Sequence, residues 1–287
     1  MSERTILRVP QVIPYLRFHL DALSKRLHRR LILSHLGLLE FARVKRPIPL
    51  SYWLALRIAV KTIFRSPDPL SVPYDVLENT GASLRSPELR RLLRNDVLGT
   101  WSLDVPTIDF LWERMKQDTP KIIIECGAGI STLVLASYAT TCGARSGDPL
   151  VVSLEQSSQV KQETESRLVR DGLSNHVRIL HAPVSEQGRY EIETDRLALQ
   201  LREEKVDWLL IDGPSGPDGC RAWTLALLSE LCRPGARWFL DDAFRDGELS
   251  VLRDWSQWPG VVVEGIYPIG KGLATGFIKD PQEVTRA

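Results

Sequence analysis

From residue 121 onward the chain alternates between apolar runs and amphipathic stretches. Short apolar runs suited to buried strands occupy Lys121–Cys126, Leu150–Glu155, Val177–Ala182, Val206–Asp212, Ala236–Asp241, Val261–Ile266 and Leu273–Lys279. Between the first five lie stretches able to form helices: Ser131–Thr140, Ser157–Asp171, Glu191–Glu204 and Gly219–Cys232. Continuously apolar strands alternating with helices predict a parallel sheet covered on both faces. The last two runs differ, because only Tyr267-Pro268-Ile269-Gly270-Lys271-Gly272 separates them. That is too short for a parallel crossover, so they are expected to pair as an antiparallel hairpin.

The first part of the chain has a helical period instead. Ile13, Leu16, Leu20, Leu23 and Leu27 recur at spacings of three and four, which places them on one helix face. A second amphipathic run, Tyr52 to Phe64, follows the breaker Pro47-Ile48-Pro49, and the prolines of Ser66–Pro73 mark a linker. Ser86-Pro87-Glu88 and Asp104-Val105-Pro106 read as helix starts, the second helix continuing towards Met115. The expected organisation is a helical segment over 1–66, a linker with helices packing on the core over 67–118, and the sheet domain over 119–287.

Charge sharpens that division. The net charge of +1 conceals 13 basic residues against three acidic ones in 1–66, with 24 basic and 33 acidic residues in the remainder. This pattern fits a basic extension lying on an acidic body. Coexisting apolar and cationic faces also fit reversible peripheral contact of residues 1–66 with an anionic membrane, at the inner face. The four cysteines have no C-x-x-C spacing and suit reduced thiols in a cytoplasmic protein. No secretory pattern opens the sequence. The longest apolar stretch, Leu31 to Val44, is interrupted by Ser34, His35, Glu40 and Arg43 and is too short to span a bilayer.

The strongest local motif is Ile124-Glu125-Cys126-Gly127-Ala128-Gly129-Ile130-Ser131-Thr132, which follows a strand and opens a helix. Gly127 and Gly129 permit a tight turn and close approach of a ligand to the backbone. A dinucleotide would place its pyrophosphate at this turn, beside the Glu125 carboxylate, and would want glycine or alanine where Thr132 stands. S-adenosylmethionine carries an ammonium and a sulfonium instead. Glu155, at the end of the second strand, can accept hydrogen bonds from both hydroxyls of a ribose.

The run E-C-G-A-G-I-S, Glu155, and the terminal hairpin together resemble the class I S-adenosylmethionine-dependent methyltransferases. The resemblance implies an α/β fold: a three-layer, Rossmann-like, seven-stranded mixed sheet, here with the basic helical N-terminal extension. It implies cofactor contacts from Glu125, Gly127, Gly129, Ser131, Glu155 and Asp212, with His181 and Ala182 beside the adenine.

Asp212 ends the fourth strand, and Asp241 and Asp242 end the fifth. Converging carboxylates repel one another unless a cation, a proton or a cationic substrate intervenes. Their placement resembles the metal-binding acids of the catechol O-methyltransferase-like group, which makes Asp212, Asp241 and Asp242 candidate Mg²⁺ ligands. Two departures stand out. Asp212-Gly213-Pro214-Ser215 has no lysine just past the acid, and the pair after strand five is Asp-Asp rather than Asp-Asn. Without metal, Asp212 or Asp242 would act as base or orient the substrate. Trp223, Phe244 and Arg245 are placed to line the acceptor pocket, although core packing is the favoured reading for each aromatic, and Trp101-Ser102 is placed by position as a lid.

The expected activity is methylation, at oxygen, of a small-molecule acceptor that the sequence does not identify. Two other readings stand beside it: a catalytically silent cofactor-binding scaffold, and a nucleic-acid methyltransferase clamping its substrate with the basic segment. A nucleic-acid partner is disfavoured, because the strand-four tail lacks the Asn/Asp-Pro-Pro-aromatic pattern of amino-directed enzymes.

Overall fold

The computed structural model describes residues 23–37, 46–66, 68–72, 77–146 and 149–284. All seven expected strands form one sheet: β1 (Ile122–Cys126), β2 (Leu150–Glu155), β3 (Val177–His181), β4 (Val206–Ile211), β5 (Cys232–Leu240), β6 (Val261–Tyr267) and β7 (Leu273–Ile278). Their spatial order is β3-β2-β1-β4-β5-β7-β6. The first five are parallel, and β7 runs antiparallel between β5 and β6. The strand order reverses between β1 and β4, and in such sheets the crevice at the carboxyl ends of those strands takes the ligand.

Successive residues of a strand face opposite sides, and this sheet has a core on each. Ile124, Val152, Leu209 and Trp238 pack with Leu197, Leu225, Leu249 and Trp255 on one face. Ile123, Val151, Trp208 and Phe239 pack with Ile108, Trp112, Leu135 and Ala139 on the other. The helices carrying those partners are Val105–Asp118 and Ile130–Ser146 on one side, and Thr194–Gln200, Thr224–Leu228 and Asp246–Trp255 on the opposite side.

Both expected helix starts are capped as the residues dictate. Ser86 Oγ accepts from Leu89 N, and Asp104 Oδ1 accepts from Thr107 N at 2.9 Å. The stretch Gly219–Cys232 departs from the single expected helix. It divides into a 3₁₀ turn at Cys220–Trp223, a short helix at Thr224–Leu228 and a second 3₁₀ turn at Ser229–Leu231. The first turn directs Arg221 inward, where its guanidinium donates to the carbonyls of Asp212 and Asp241 at the ends of β4 and β5. Strand β5 also begins earlier than expected, because Cys232 pairs with Val206 before the register jumps to Arg237 opposite Trp208.

The helix Leu50–Phe64 lies on the body. Trp53 is fully buried, its ring centroid 4.7 Å from that of Phe244. Arg57 grips both oxygens of Asp246, the charge complementarity expected of a basic extension on an acidic body. Ile48 and Ile266 exchange two backbone hydrogen bonds of 2.9 Å, forming an antiparallel bridge on β6. Ile13, Leu16 and Leu20 lie outside the described residues, whereas Leu23 and Leu27 are exposed on the helix over 23–37. Among the described residues no helix is long and apolar enough to cross a membrane. Cys126, Cys220 and Cys232 are buried free thiols.

Candidate active site

At the end of β1 the chain turns at Gly127, whose φ of +93° lies in the region that glycine adopts without strain. Its N–H donates to Leu154 O at 2.8 Å, and a Cβ there would stand 3.3 Å from Gly213 N. The next residues are held by side chains. Glu155 Oε2 accepts from Ala128 N at 2.8 Å and Oε1 from Ser157 N at 2.7 Å. A carboxylate has about four acceptor positions, so both oxygens keep capacity for hydroxyls in the cleft.

Glu125 has a different place. Cross-strand register sets it beside Ser153, and it is fully buried beneath the loop. Its Oε2 accepts from Thr132 Oγ1 and Ser153 Oγ, each at 2.6 Å. Burial pushes its pKa up to about 7 against these hydroxyl hydrogen bonds. Glu125 therefore braces the glycine loop from below.

The cleft above the loop has a volume of about 360 Å³. Gly127, Ala128, Gly129, Ser131 and Glu155 line one end, and Asp212, Asp242, Arg245 and Lys271 line the other. Gln156 pins the loop after Asp212, donating to Ser215 O and accepting from Ser215 N. Trp101, 93% exposed, stands at the rim with Thr100 and Ser102. Of the other expected residues, Ala182 is buried, and His181 is exposed with Nε2 3.2 Å from Gln156 O. Neither lines the cleft. Phe244 is core, and Trp223 lines a neighbouring hollow with the Arg189 guanidinium 3.5 Å from its ring centroid.

Asp212, Asp241 and Asp242 do converge, offering oxygens within 4.8 Å of one another. Asp242 sits at φ 59°, a left-handed conformation rare for a residue with a Cβ. Two residues that the sequence reading did not single out complete the cluster. Lys271 Nζ stands 2.9 Å from Asp241 Oδ2 and 3.0 Å from Asp242 Oδ1. Arg221 lies 3.2 Å from Asp242 Oδ2, 3.5 Å from Asp212 Oδ1 and 3.7 Å from Glu248 Oε1. Beyond the Lys271 ion pairs, Asp241 Oδ1 and Oδ2 and Asp242 Oδ1 have no hydrogen-bond donor among the described residues.

The electrostatics follow from burial and these cations. Burial would lower the pKa of Lys271, but Asp241, Asp212 and Asp242 outweigh it and hold the ammonium charged, well above its usual range. Burial, reinforced by the Asp241 charge, raises Asp212 against the pull of Lys271 and Arg221. Asp241 is raised by burial, which Lys271 only partly offsets. For Asp242 burial acts upward, yet Lys271, Arg221 and Arg245 outweigh it and hold the carboxyl below its usual value. The deeper acids are thus neutralised from within, and Asp212 is the more basic carboxylate facing the cleft.

That arrangement does not fit Mg²⁺. A hard cation taking oxygens of Asp241 and Asp242 at coordination distance would lie against the Lys271 ammonium. Asp241 Oδ2 and Asp242 Oδ1, two of the three buried oxygens that lack hydrogen bonds, already face the Lys271 ammonium.

Comparison with known proteins bears on both fold and family. Residues 124–243 match the family model described as a methyltransferase domain. No curated protein matches the chain by sequence. Among solved structures, the fold is similar to an O-methyltransferase from Bacillus cereus in complex with SAH (S-adenosylhomocysteine). The identity is 19% and the TM-score 0.50, covering 80% of this chain and all of that one. It is also similar to an SAH-bound methyltransferase from Podospora anserina, with 16% identity and TM-score 0.50 over 68% of this chain and 83% of the other. A cofactor-bound protein from MTB has 17% identity and TM-score 0.51 over 70% and 94% of the two chains. With the glycine loop, the strand order and the terminal hairpin all in place, residues 124–243 are similar to a methyltransferase domain within a Rossmann-like α/β fold.

Proposed function

We propose that this chain transfers the methyl group of S-adenosylmethionine to a hydroxyl oxygen of a small acceptor, in the cytoplasm. The observation that carries the reading is one continuous cleft joining Glu155 and the glycine loop to Asp212. The Bacillus cereus structure, an O-methyltransferase in complex with SAH, supports both the cofactor and the oxygen acceptor.

The residues present fit the cofactor. The loop over Gly127–Gly129 offers open backbone, with nothing within 4 Å of a Cβ built at Gly129. Glu155 faces the cleft with acceptor capacity for ribose hydroxyls, and the carboxylates at the far end suit a cationic ligand. When bound, the cofactor supplies an electrophilic methyl on sulfur. The protein holds the acceptor oxygen in line with that methyl, and this orientation supplies much of the acceleration. Asp212, made more basic by burial and by Asp241, takes the acceptor's proton. Trp101 stands exposed at the rim, placed to close over the acceptor, and the buried thiols suit a reducing compartment.

Calorimetry with S-adenosylmethionine and with NAD, on the wild type and on Gly127→Arg, tests this directly. Binding of S-adenosylmethionine that Gly127→Arg abolishes is expected. Tight binding of NAD without S-adenosylmethionine would overturn the proposal.

A further inference from the structure

We propose that Lys271 is a resident cation standing where the catechol O-methyltransferase-like resemblance would put a divalent metal, so that this chain works without one. The ammonium is within 3.0 Å of Asp241 and Asp242 and is almost wholly buried. Arg221 closes the other side, touching Asp242 and Asp212. Lys271 and Arg221, with Arg245 3.0 Å from Asp242 Oδ2, therefore neutralise carboxylates that would otherwise call for an ion from solution.

The position of Lys271 is built rather than incidental. It arrives on the turn between β6 and β7, and the order β5-β7-β6 brings that turn beside the end of β5. Asp104, fully buried, accepts the Lys271 backbone N–H at 3.1 Å while capping the helix Val105–Asp118. Gly270 passes so close that a Cβ there would meet Asp104 Oδ2 at 1.7 Å. Phe244 N donates to Lys271 O and Ala243 N to Gly272 O, tying the turn to the residues just after Asp242. Lys271 Nζ also lies 3.4 Å from Ser102 O, beneath the rim that carries Trp101. The lysine is thus held at both backbone and side chain, and it connects the acid pair to the mouth of the cleft.

A mobile divalent ion would bring two charges and several waters. Lys271 brings one charge and no open coordination position. It therefore serves as a positioning residue that fixes Asp241 and Asp242 and lets Asp212 face the acceptor. This role rests on the methyl-transfer reading, whereas the cation site itself does not.

The experiment is Mn²⁺ binding, followed by the loss of its free spin-resonance signal and by the shift it causes in Tm, on wild type and on Lys271→Met. The wild type is expected to take up no Mn²⁺ at the cluster, and its Tm is expected not to move. Lys271→Met, with the acids uncovered, is expected to gain one Mn²⁺ per chain and a concentration-dependent rise in Tm. Asp241→Asn with Lys271→Met, balanced in charge, guards against a single variant that does not fold. It too is expected to bind Mn²⁺ more tightly than wild type. A wild-type chain that binds one Mn²⁺ and loses it on Asp241→Asn overturns the proposal. So does a folded Lys271→Met variant that gains no Mn²⁺ binding. Titration of S-adenosylhomocysteine into wild type separates the two readings, because its failure to bind removes the methyltransferase function and leaves the cation result standing.

Discussion

Glu155 Oε2 accepts the backbone N–H of Ala128 at 2.8 Å, so one carboxylate both shapes the glycine loop and faces the cleft. Glu155→Gln would turn an amide donor towards one of its backbone donors, Ala128 or Ser157. A charge-assisted hydrogen bond contributes about 1.5–3 kcal/mol, so affinity for S-adenosylhomocysteine is expected to fall by about ten- to a hundredfold. Calorimetry reads this, with the Tm of the unliganded variant as the control for folding.

Glu125 predicts a particular pH dependence of stability. Its pKa is pushed up to about 7 in the folded chain, from an ordinary value of 4.5 when unfolded. Between these values the folded state retains a proton that the unfolded chain has released. Stability therefore falls as pH rises through this window and levels off above it. Glu125→Gln escapes the loss. Its stability relative to wild type is expected to improve by about 3 kcal/mol between roughly pH 4 and pH 8. Denaturant unfolding at the two ends checks it, and a difference independent of pH counts against the assignment.

Asp212→Asn should separate binding from chemistry. Loss of a general base costs about 10²–10⁴ in rate, while S-adenosylhomocysteine affinity is expected to stay within a few fold. Transfer of labelled methyl to a panel of phenols and other hydroxyl acceptors gives the first quantity, and calorimetry gives the second.

Trp101→Ala removes a side chain that is 93% exposed, so stability should change by less than about 0.5 kcal/mol. If Trp101 closes over the acceptor, its KM rises by about tenfold, in keeping with the contact area an aromatic ring offers. Steady-state kinetics with the best acceptor from the panel decides this.

Much of the fold was legible because the strands of a parallel sheet are buried on both faces and read as uninterrupted apolar runs. The hairpin was legible from the length of its connection alone. Asp212, Asp241 and Asp242 were legible as strand ends that had to converge. Lys271 was not, because it lies between two glycines in a turn, where a lysine reads as solvent-facing. Only the insertion of β7 between β5 and β6 brings that turn to the acids. Arg221 was hidden for a related reason: within the continuous helix expected over Gly219–Cys232, nothing marked it as inward-facing. Glu125 was expected as a cofactor contact, yet its place beside Ser153 and its hydrogen bonds to Thr132 and Ser153 bury it beneath the glycine loop, outside the lining of the cleft.

The bridge from Ile48 to Ile266 has a consequence for how the protein behaves among its own copies. β6 is the outermost strand on its side of the sheet, and an outermost strand carries N–H and C=O groups that can template pairing with another chain. Ile48 occupies two of those groups on β6, and the helix that follows it covers the adjoining apolar surface with Trp53. A fragment beginning at residue 67 would keep the entire cleft but bare this border. Such a fragment is expected to aggregate edge to edge under conditions where the longer chain stays dispersed.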